Sequence, residues 1–200
     1  MKKLELFWPV KKSVIGQRFG ECLPDVCEQY QKWGLNGHNG IDLMAGHGDP
    51  VYAAHDGIIT YAGLDSSGGW GVVIKTHEQF LVYDKYNKPY YWKTIYWHLL
   101  PNIPIKVGQK VLIGDIIGYA DNTGFSKGDH LHFGLKPIEQ GENEWTWDNA
   151  PQDNGYRGAI DPMPYMSVMS AYQVRSYLQN LSEIIKKLFE LISIFKGRKT

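Results

Sequence analysis

The sequence has little of what would set a chain apart from ordinary globular proteins. It carries no net formal charge, with 21 basic and 21 acidic residues among 200, so no chain-wide basic field exists to neutralise phosphates. The balance is uneven, because residues 166–200 hold 6 basic and only 2 acidic side chains. Residues 1–165 are therefore acidic overall, which disfavours nucleic acid as their partner and leaves only the tail to seek an anionic surface. Two cysteines occur, Cys22 and Cys27, too few for a disulfide framework or a zinc ribbon. Their spacing is compatible with a local disulfide or with two buried thiols. No uncharged apolar run reaches the ~18 residues of a membrane-spanning helix, so no transmembrane segment is expected. The amino end, Leu4-Glu5-Leu6-Phe7-Trp8-Pro9, is too short and interrupted for a signal-peptide core, so no ordinary secretion signal is expected either.

What is present fits one domain with an appendage. A hydrophobic share of 43% with 21% charged residues is enough to bury a single core and excludes wholesale disorder. The 22 glycines exceed the ~7% norm and indicate many tight turns. Between residues 41 and 135 short apolar runs at 50–54, 57–61, 71–76, 80–83, 90–99, 110–112, 116–120 and 131–135 alternate with turn signals such as Asp65-Ser66-Ser67-Gly68-Gly69. That pattern predicts an all-β, mostly antiparallel body. The stretch 141–158, which contains Trp145 and Trp147, reads as a long loop.

The last segment changes period. Val174, Leu178, Leu181, Ile185, Leu188, Ile192 and Phe195 follow alternating spacings of four and three, with Tyr177, Ile184 and Leu191 on one flank. This predicts a C-terminal amphipathic α-helix of about 25 residues. Lys186, Lys187, Lys196, Arg198 and Lys199 gather toward its carboxyl end, where they suit the helix dipole. The expected organisation is a catalytic unit over 1–165 and a helical tail over 166–200. Packing of the helix back on the body is the leading expectation; self-association as a bundle and contact with a membrane surface are the alternatives.

Seven histidines supply the chemistry: His38, His47, His55, His77, His98, His130 and His132. On a strand, His130 and His132 share one face while Leu131 and Phe133 turn to the core. The same parity would put Tyr96 and His98 together on one face, where the Tyr96 phenol could assist an oxyanion. In His38-Asn39-Gly40-Ile41-Asp42 an imidazole and a carboxylate stand four apart around a glycine. Two histidines and an aspartate would leave zinc an open position for water, which is the catalytic type of site. Imidazole-rich ligation favours zinc over other divalent ions. His47, His55 and His77 read as surface or supporting residues, with His77 the nearest candidate to the groove. Arg18 reads as a structural cation, Asp56 as a turn residue and Trp70 as a strand aromatic.

Three blocks, His38-Asn39-Gly40-Ile41-Asp42, Tyr96-Trp97-His98-Leu99 and Gly128-Asp129-His130-Leu131-His132-Phe133, resemble in order and spacing the lysostaphin-type zinc endopeptidases that cut peptidoglycan peptides. The resemblance extends over about residues 14–137. It takes in Gln17-Arg18-Phe19-Gly20, the glycine-bounded stretch 48–57, and Val107-Gly108-Gln109-Lys110-Val111. It implies an open, mostly antiparallel β sandwich with a groove across one sheet. Zinc would be bound by His38, Asp42 and His132, with His98 and His130 flanking it as general base and transition-state stabiliser. The implied reaction is hydrolysis of peptide bonds in bacterial peptidoglycan stems or cross-bridges.

Departures from the family pattern lie at 77–93, an extended hairpin carrying Phe80, Tyr83, Tyr86, Tyr90, Tyr91 and Trp92, and in the Trp145 and Trp147 loop. Two rival readings share these residues: a non-catalytic wall-binding or scaffold module on the same fold, and a zinc amidase of peptidoglycan. A wall-cutting enzyme without an export signal would act at the bacterial cell wall after delivery by a non-classical route or a phage-encoded one, as a bacteriophage lysin does.

Overall fold

Alternation along each strand decides which face is buried, and apolar residues at every second position stack that face into one core. The computed structural model describes residues 3–81, 89–138 and 154–197. Along the described chain the strands are β1 (Leu6–Trp8), β2 (Ile15–Gln17), β3 (Ile41–Met44), β4 (Pro50–Tyr52), β5 (Gly57–Asp65), β6 (Gly69–Thr76), β7 (Phe80–Leu81), β8 (Pro89–Leu99), β9 (Lys110–Val111), β10 (Ile116–Tyr119), β11 (His130–Ile138) and β12 (Met166–Ser170). Two α-helices accompany them in the described residues, α1 (Cys27–Lys32) and α2 (Ala171–Gly197), with one 3-10 turn at Met163–Tyr165.

The main sheet runs β2-β3-β11-β8-β6-β5-β9, with β7 added on β8, and its pairings are antiparallel. Two small ribbons, antiparallel β4-β10 and parallel β1-β12, accompany it. Ile41, Leu43, Val72, Ile74, Leu131, Phe133 and Leu135 from the main sheet are buried in one cluster with Leu6 from β1, Val51 from β4 and Ile117 from β10. Each such side chain contributes roughly 1.5–3 kcal/mol by leaving water. The opposite face of the sheet carries a smaller cluster, Val73, Ile95 and Trp97 with Tyr61 packed on it. The predicted open, mostly antiparallel β sandwich with a C-terminal helix is the observed class.

Several elements lie outside the sequence expectation: β1 and β12, whose pairing is parallel, and α1. The short α1 follows directly on a disulfide between Cys22 and Cys27, which resolves the two cysteine readings in favour of the bridge. The helix ends in a reciprocal cap, with the Leu35 amide donating to the Tyr30 carbonyl and the Gly34 amide to that of Gln31. Gly34 sits at φ +74, the left-handed turn this cap requires.

Helix α2 begins with a capping box: the Gln173 amide donates to the Ser170 hydroxyl, and the Ser170 amide donates to the Gln173 side-chain oxygen. Its first turn is docked. Ala171 is fully buried, and the Arg175 guanidinium donates to the Gly114 carbonyl at 2.7 Å. Beyond that turn the described side chains of the helix do not pack back on the body, contrary to the leading expectation. Tyr177, Leu178, Leu181, Ile184, Ile185, Leu188, Leu191 and Ile192 are all exposed. The segment after residue 165 therefore enters the fold through β12 before the helix departs from it. No helix among the described residues is long and apolar enough to cross a membrane. Tyr83, Tyr86, Trp145, Trp147, Arg198 and Lys199 lie outside the described residues.

Candidate metal centre and active-site groove

The three histidine blocks meet on the face of the main sheet opposite the core. Strand β3 turns Ile41 and Leu43 inward and Asp42 outward, and β11 turns Leu131 and Phe133 inward and His132 outward. Register does the rest: His132 lies directly opposite Asp42 across the β3-β11 ladder, so one cross-strand pair brings imidazole and carboxylate together. His38 arrives from the segment before β3. Its Nε2 lies 2.8 Å from His132 Nδ1 and 3.1 Å from Asp42 Oδ1, while His132 Nδ1 is 3.2 Å from the same oxygen.

Gly40 makes room for this cluster. A Cβ there would stand 2.7 Å from the His132 ring and from the Phe133 carbonyl oxygen, so a larger residue would push the imidazole out of place.

His98 reaches the same face by a break in alternation. Leu99 pairs with Trp70 and Tyr96 with Val72, so Trp97 and His98 together face the single residue Gly71, which is a β-bulge. His98 takes φ +63, a conformation uncommon for a residue with a side chain and typical of re-aimed functional groups. As a result Trp97 and His98 both line the groove, while Tyr96 and Leu99 turn into the core. The expected sharing of a face by Tyr96 and His98 is thereby overturned. The Tyr96 hydroxyl accepts from the Ala54 amide and the Thr94 hydroxyl, each at 3.0 Å, and is fully buried away from the site. It has no access to an oxyanion.

Carbonyls fix the ring orientations. His38 Nδ1 donates to the Arg18 carbonyl at 3.2 Å, His98 Nδ1 to Thr123 at 2.7 Å and His130 Nδ1 to Gly128 at 2.8 Å. In each neutral ring this leaves Nε2 without a proton. His130 Nε2 lies 3.5 Å from Asp42 Oδ1, and the His98 and His130 ring centroids are 4.6 Å apart. Sequence reasoning alone does not single out Thr123, Gly128 or Gly40 as site residues. Only Gly40 and Gly128 stand inside a recognisable block.

The electrostatics follow from burial and neighbours. Burial opposes charge on Asp42, but hydrogen bonds with His130, His132 and His38 outweigh it and hold the carboxyl well below its usual range. Burial, reinforced by His132 and His130, pushes His98 down to about 3, so it is neutral at ordinary pH. His132 is also lowered, chiefly by burial. Burial opposes charge on His130 as well, but its hydrogen bond and attraction to Asp42 outweigh that and raise it.

The remaining histidines lie elsewhere. His47 is exposed and hydrogen-bonded to Asp121 at 2.9 Å. His55 is buried against the Thr94 hydroxyl at 2.8 Å. His77 is exposed just past the end of β6 and does not line the groove, against the expectation that it comes nearest. Arg18 meets the site only through its backbone carbonyl. Asp56 accepts from the Ile113 amide at 2.7 Å and is the turn residue expected. Trp70 is a partly buried strand aromatic packed on the core.

Over the site runs a groove of about 420 Å³. One wall is the disulfide-braced α1 segment, with Leu23, Val26, Tyr30 and Trp33; the other is the loop bearing Phe125 and Lys127. The walls touch at two points. The Trp33 and Phe125 rings meet edge to face at 5.1 Å, and Lys127 Nζ pairs with the Asp25 carboxylate at 2.5 Å.

The donor set tests whether a metal ion fits. His38, Asp42 and His132 each offer one ligand atom, and all three atoms lie within 4.8 Å of one another. Two imidazole nitrogens and a carboxylate oxygen crowded at such distances repel as bare acceptors, and a shared proton or a cation among them relieves this. The residues fit a divalent ion held by three protein ligands.

A β sandwich carrying a two-histidine, one-aspartate centre with two further histidines beside it defines a metallopeptidase-like class. The match to known families agrees: residues 36–144 fit the model of "Peptidase family M23", and the chain belongs to that family. It is 34% identical over 135 residues to the glycyl-glycine endopeptidase ALE-1 of Staphylococcus capitis, covering 66% of this chain and 30% of that protein. It is 36% identical over 98 residues to the peptidoglycan DD-endopeptidase ShyA of Vibrio cholerae, covering 49% and 20%. The chain thus spans less than a third of either relative. Among solved structures, the catalytic domain of the antimicrobial peptidase lysostaphin from Staphylococcus simulans matches with a TM-score of 0.54 at 27% identity, over 76% of this chain and 91% of that one.

Proposed function

We propose that this chain is a zinc-dependent endopeptidase that hydrolyses peptide bonds in bacterial peptidoglycan. The observation that carries the reading is the convergence of His38, Asp42 and His132 from separate segments onto one point, with His98 and His130 beside them. The chain's similarity to a glycyl-glycine endopeptidase, ALE-1, and to a peptidoglycan DD-endopeptidase, ShyA, supports peptide cross-links of the wall as the substrate class.

His38 through Nε2, Asp42 through Oδ1 and His132 through Nδ1 would hold the ion. A bound zinc ion would supply Lewis acidity there, polarising a carbonyl and making water more acidic. The chain's own residues supply the proton handling. His98, neutral and pinned by Thr123, presents an unprotonated Nε2 that can take a proton from water. His130, when protonated, can donate a hydrogen bond from Nε2 to the oxygen that gains charge, and the proton taken up by His98 can then pass to the departing amine. The apolar walls keep bulk water from competing for these groups.

The test is mass spectrometry of digested peptidoglycan. New amino termini within stem or bridge peptides are the expected products; ends separated between sugar and peptide would instead identify an amidase. His132→Ala should abolish bound zinc by elemental analysis and lower activity on the order of 1000-fold, about 4 kcal/mol of transition-state stabilisation. His98→Ala should lower activity comparably while retaining zinc. Activity surviving both changes would remove the mechanism, and wall binding without cleavage would indicate a non-catalytic module.

A further inference from the structure

We infer that α2 is the interface for a second copy of this chain, forming a parallel two-stranded coil that holds two groove-bearing bodies side by side. The helix exposes an unbroken apolar stripe. Tyr177 is 65% exposed, Leu178 55%, Leu181 52%, Ile184 55%, Leu188 52% and Ile192 49%. With Ile185, Phe189 and Leu191 also exposed, the stripe amounts to roughly 700 Å² per copy, taking large side chains at ~150–250 Å² each and about half open. Solitary soluble chains rarely leave apolar patches above a few hundred Å² uncovered. Two copies would bury on the order of 1,400 Å², which lies within the range of specific, stable interfaces.

Two features favour a copy of the same chain over a lipid surface. First, the tail's excess of basic residues lies at Arg175, which is bonded to the body, and at Lys196, Arg198 and Lys199 at the far end, whereas between residues 176 and 193 Glu183 and Glu190 balance Lys186 and Lys187. The apolar stripe is therefore not flanked along its length by the basic face that draws an interfacial helix to anionic lipid. Second, the spacing is heptadic. Leu178, Ile185 and Ile192 occupy one seam position and Val174, Leu181 and Leu188 the other. Over the central turns, isoleucine at the first (Ile185, Ile192) with leucine at the second (Leu181, Leu188) favours two parallel strands.

The flanks are compatible with that orientation. In a parallel pair, each residue just before the first seam position faces the residue five places later on the other helix. Ile184 then meets Phe189 of the second copy, and no two like charges face each other there. Part of the apolar flank, at Ile184 and Phe189, is thereby covered.

Among the described side chains, only the first turn of α2 is tied to the body, through Ala171, Arg175 and the contacts of Tyr172 with Tyr52 and Lys11. The rest projects freely enough to pair without disturbing the groove. Two linked bodies gain avidity on a polymeric surface without any new contact at either site.

Sedimentation equilibrium on the full chain tests this. The expected result is twice the chain mass at micromolar concentration, falling to a single chain in the double variant Leu181→Glu with Leu188→Glu. Both positions are exposed, so circular dichroism and cleavage of a small soluble peptide should remain unchanged, which separates this test from failure of the proposed activity. Ile185→Cys adds the one free thiol, since Cys22 and Cys27 are paired, and mild oxidation should cross-link two chains at that residue. A single-chain mass for the unaltered protein, a mass unaffected by the double variant, or absence of the cross-link would overturn the inference. So would co-sedimentation of a single-chain species with phosphatidylglycerol vesicles.

Discussion

The floor and the walls of the groove are built by different means. The floor is ladder: Asp42 and His132 are a registered cross-strand pair, and His98 is aimed by a bulge whose carbonyl neighbours pin the ring. Its geometry is over-determined, because moving any one residue requires moving a strand buried on its other face. The walls are loop and a six-residue helix, held by the Cys22–Cys27 bridge and by two side-chain contacts across the opening. On the proposed function, chemistry that tolerates little displacement would sit on the rigid part and recognition on the part that can vary.

The floor also depends on what lies beneath it, and there a large effect on stability is expected. Burial pushes His55 down to about 4 from its usual 6.5, overcoming the raising influence of the Asp56 carbonyl it bonds. The folded state therefore holds His55 neutral while the unfolded chain protonates it below pH 6.5. Stability from this group is complete above that pH and is lost as pH falls from 6.5 to 4, by about 3 kcal/mol in all. Urea unfolding across that window should show the slope in the parent and a flatter one in His55→Gln. Equal slopes would mean that the buried imidazole is not the group titrating.

Gly40 probes the floor itself. Gly40→Ala places a methyl against the His132 ring and the Phe133 carbonyl, both at 2.7 Å. The carbonyl belongs to a core strand and cannot yield, so the imidazole must. Misorienting a ligand in this way typically costs 10–100-fold in metal affinity or activity. Zinc titration should show that loss with the β-sheet circular dichroism intact, and retention of full affinity would show the floor to be softer than its register implies.

What is legible in the amino-acid sequence follows the same division. Strands β4 to β6 and β8 to β11 announce themselves by apolar runs between glycines, and the pairing of His130 with His132 on one face follows from parity alone. Tyr96 shows where parity fails. A bulge inserts one residue into the count, and nothing in Tyr96-Trp97-His98-Leu99 marks it, because it is fixed by the loop carbonyls of Gly68 and Thr123 that receive His98. Strands β1 and β12 are short and pair across the length of the chain, so local pattern cannot find them. Helix α1 is too short for periodicity to register, and the disulfide that precedes it is one of two pairings the cysteine spacing allows, bridged or free. The period of α2 is plain, but periodicity reports an apolar face without saying what covers it.

The walls offer the mildest and most discriminating test. Trp33 packs on Phe125 across the opening and lines the groove, but it touches none of the nitrogen or oxygen atoms at the centre. If walls bind and floor reacts, Trp33→Ala should raise KM for a peptide substrate about tenfold, equivalent to ~1.4 kcal/mol, with kcat nearly unchanged. An effect confined to KM is the signature of binding felt equally in ground and transition states. A matching fall in kcat would place the wall within the reaction geometry. Without the indole ring 5.1 Å from Phe125, the loop carrying Thr123 and Gly128 would then have shifted, and with it the carbonyls that aim His98 and His130. The two outcomes separate a wall that only selects substrate from one that also steadies the floor.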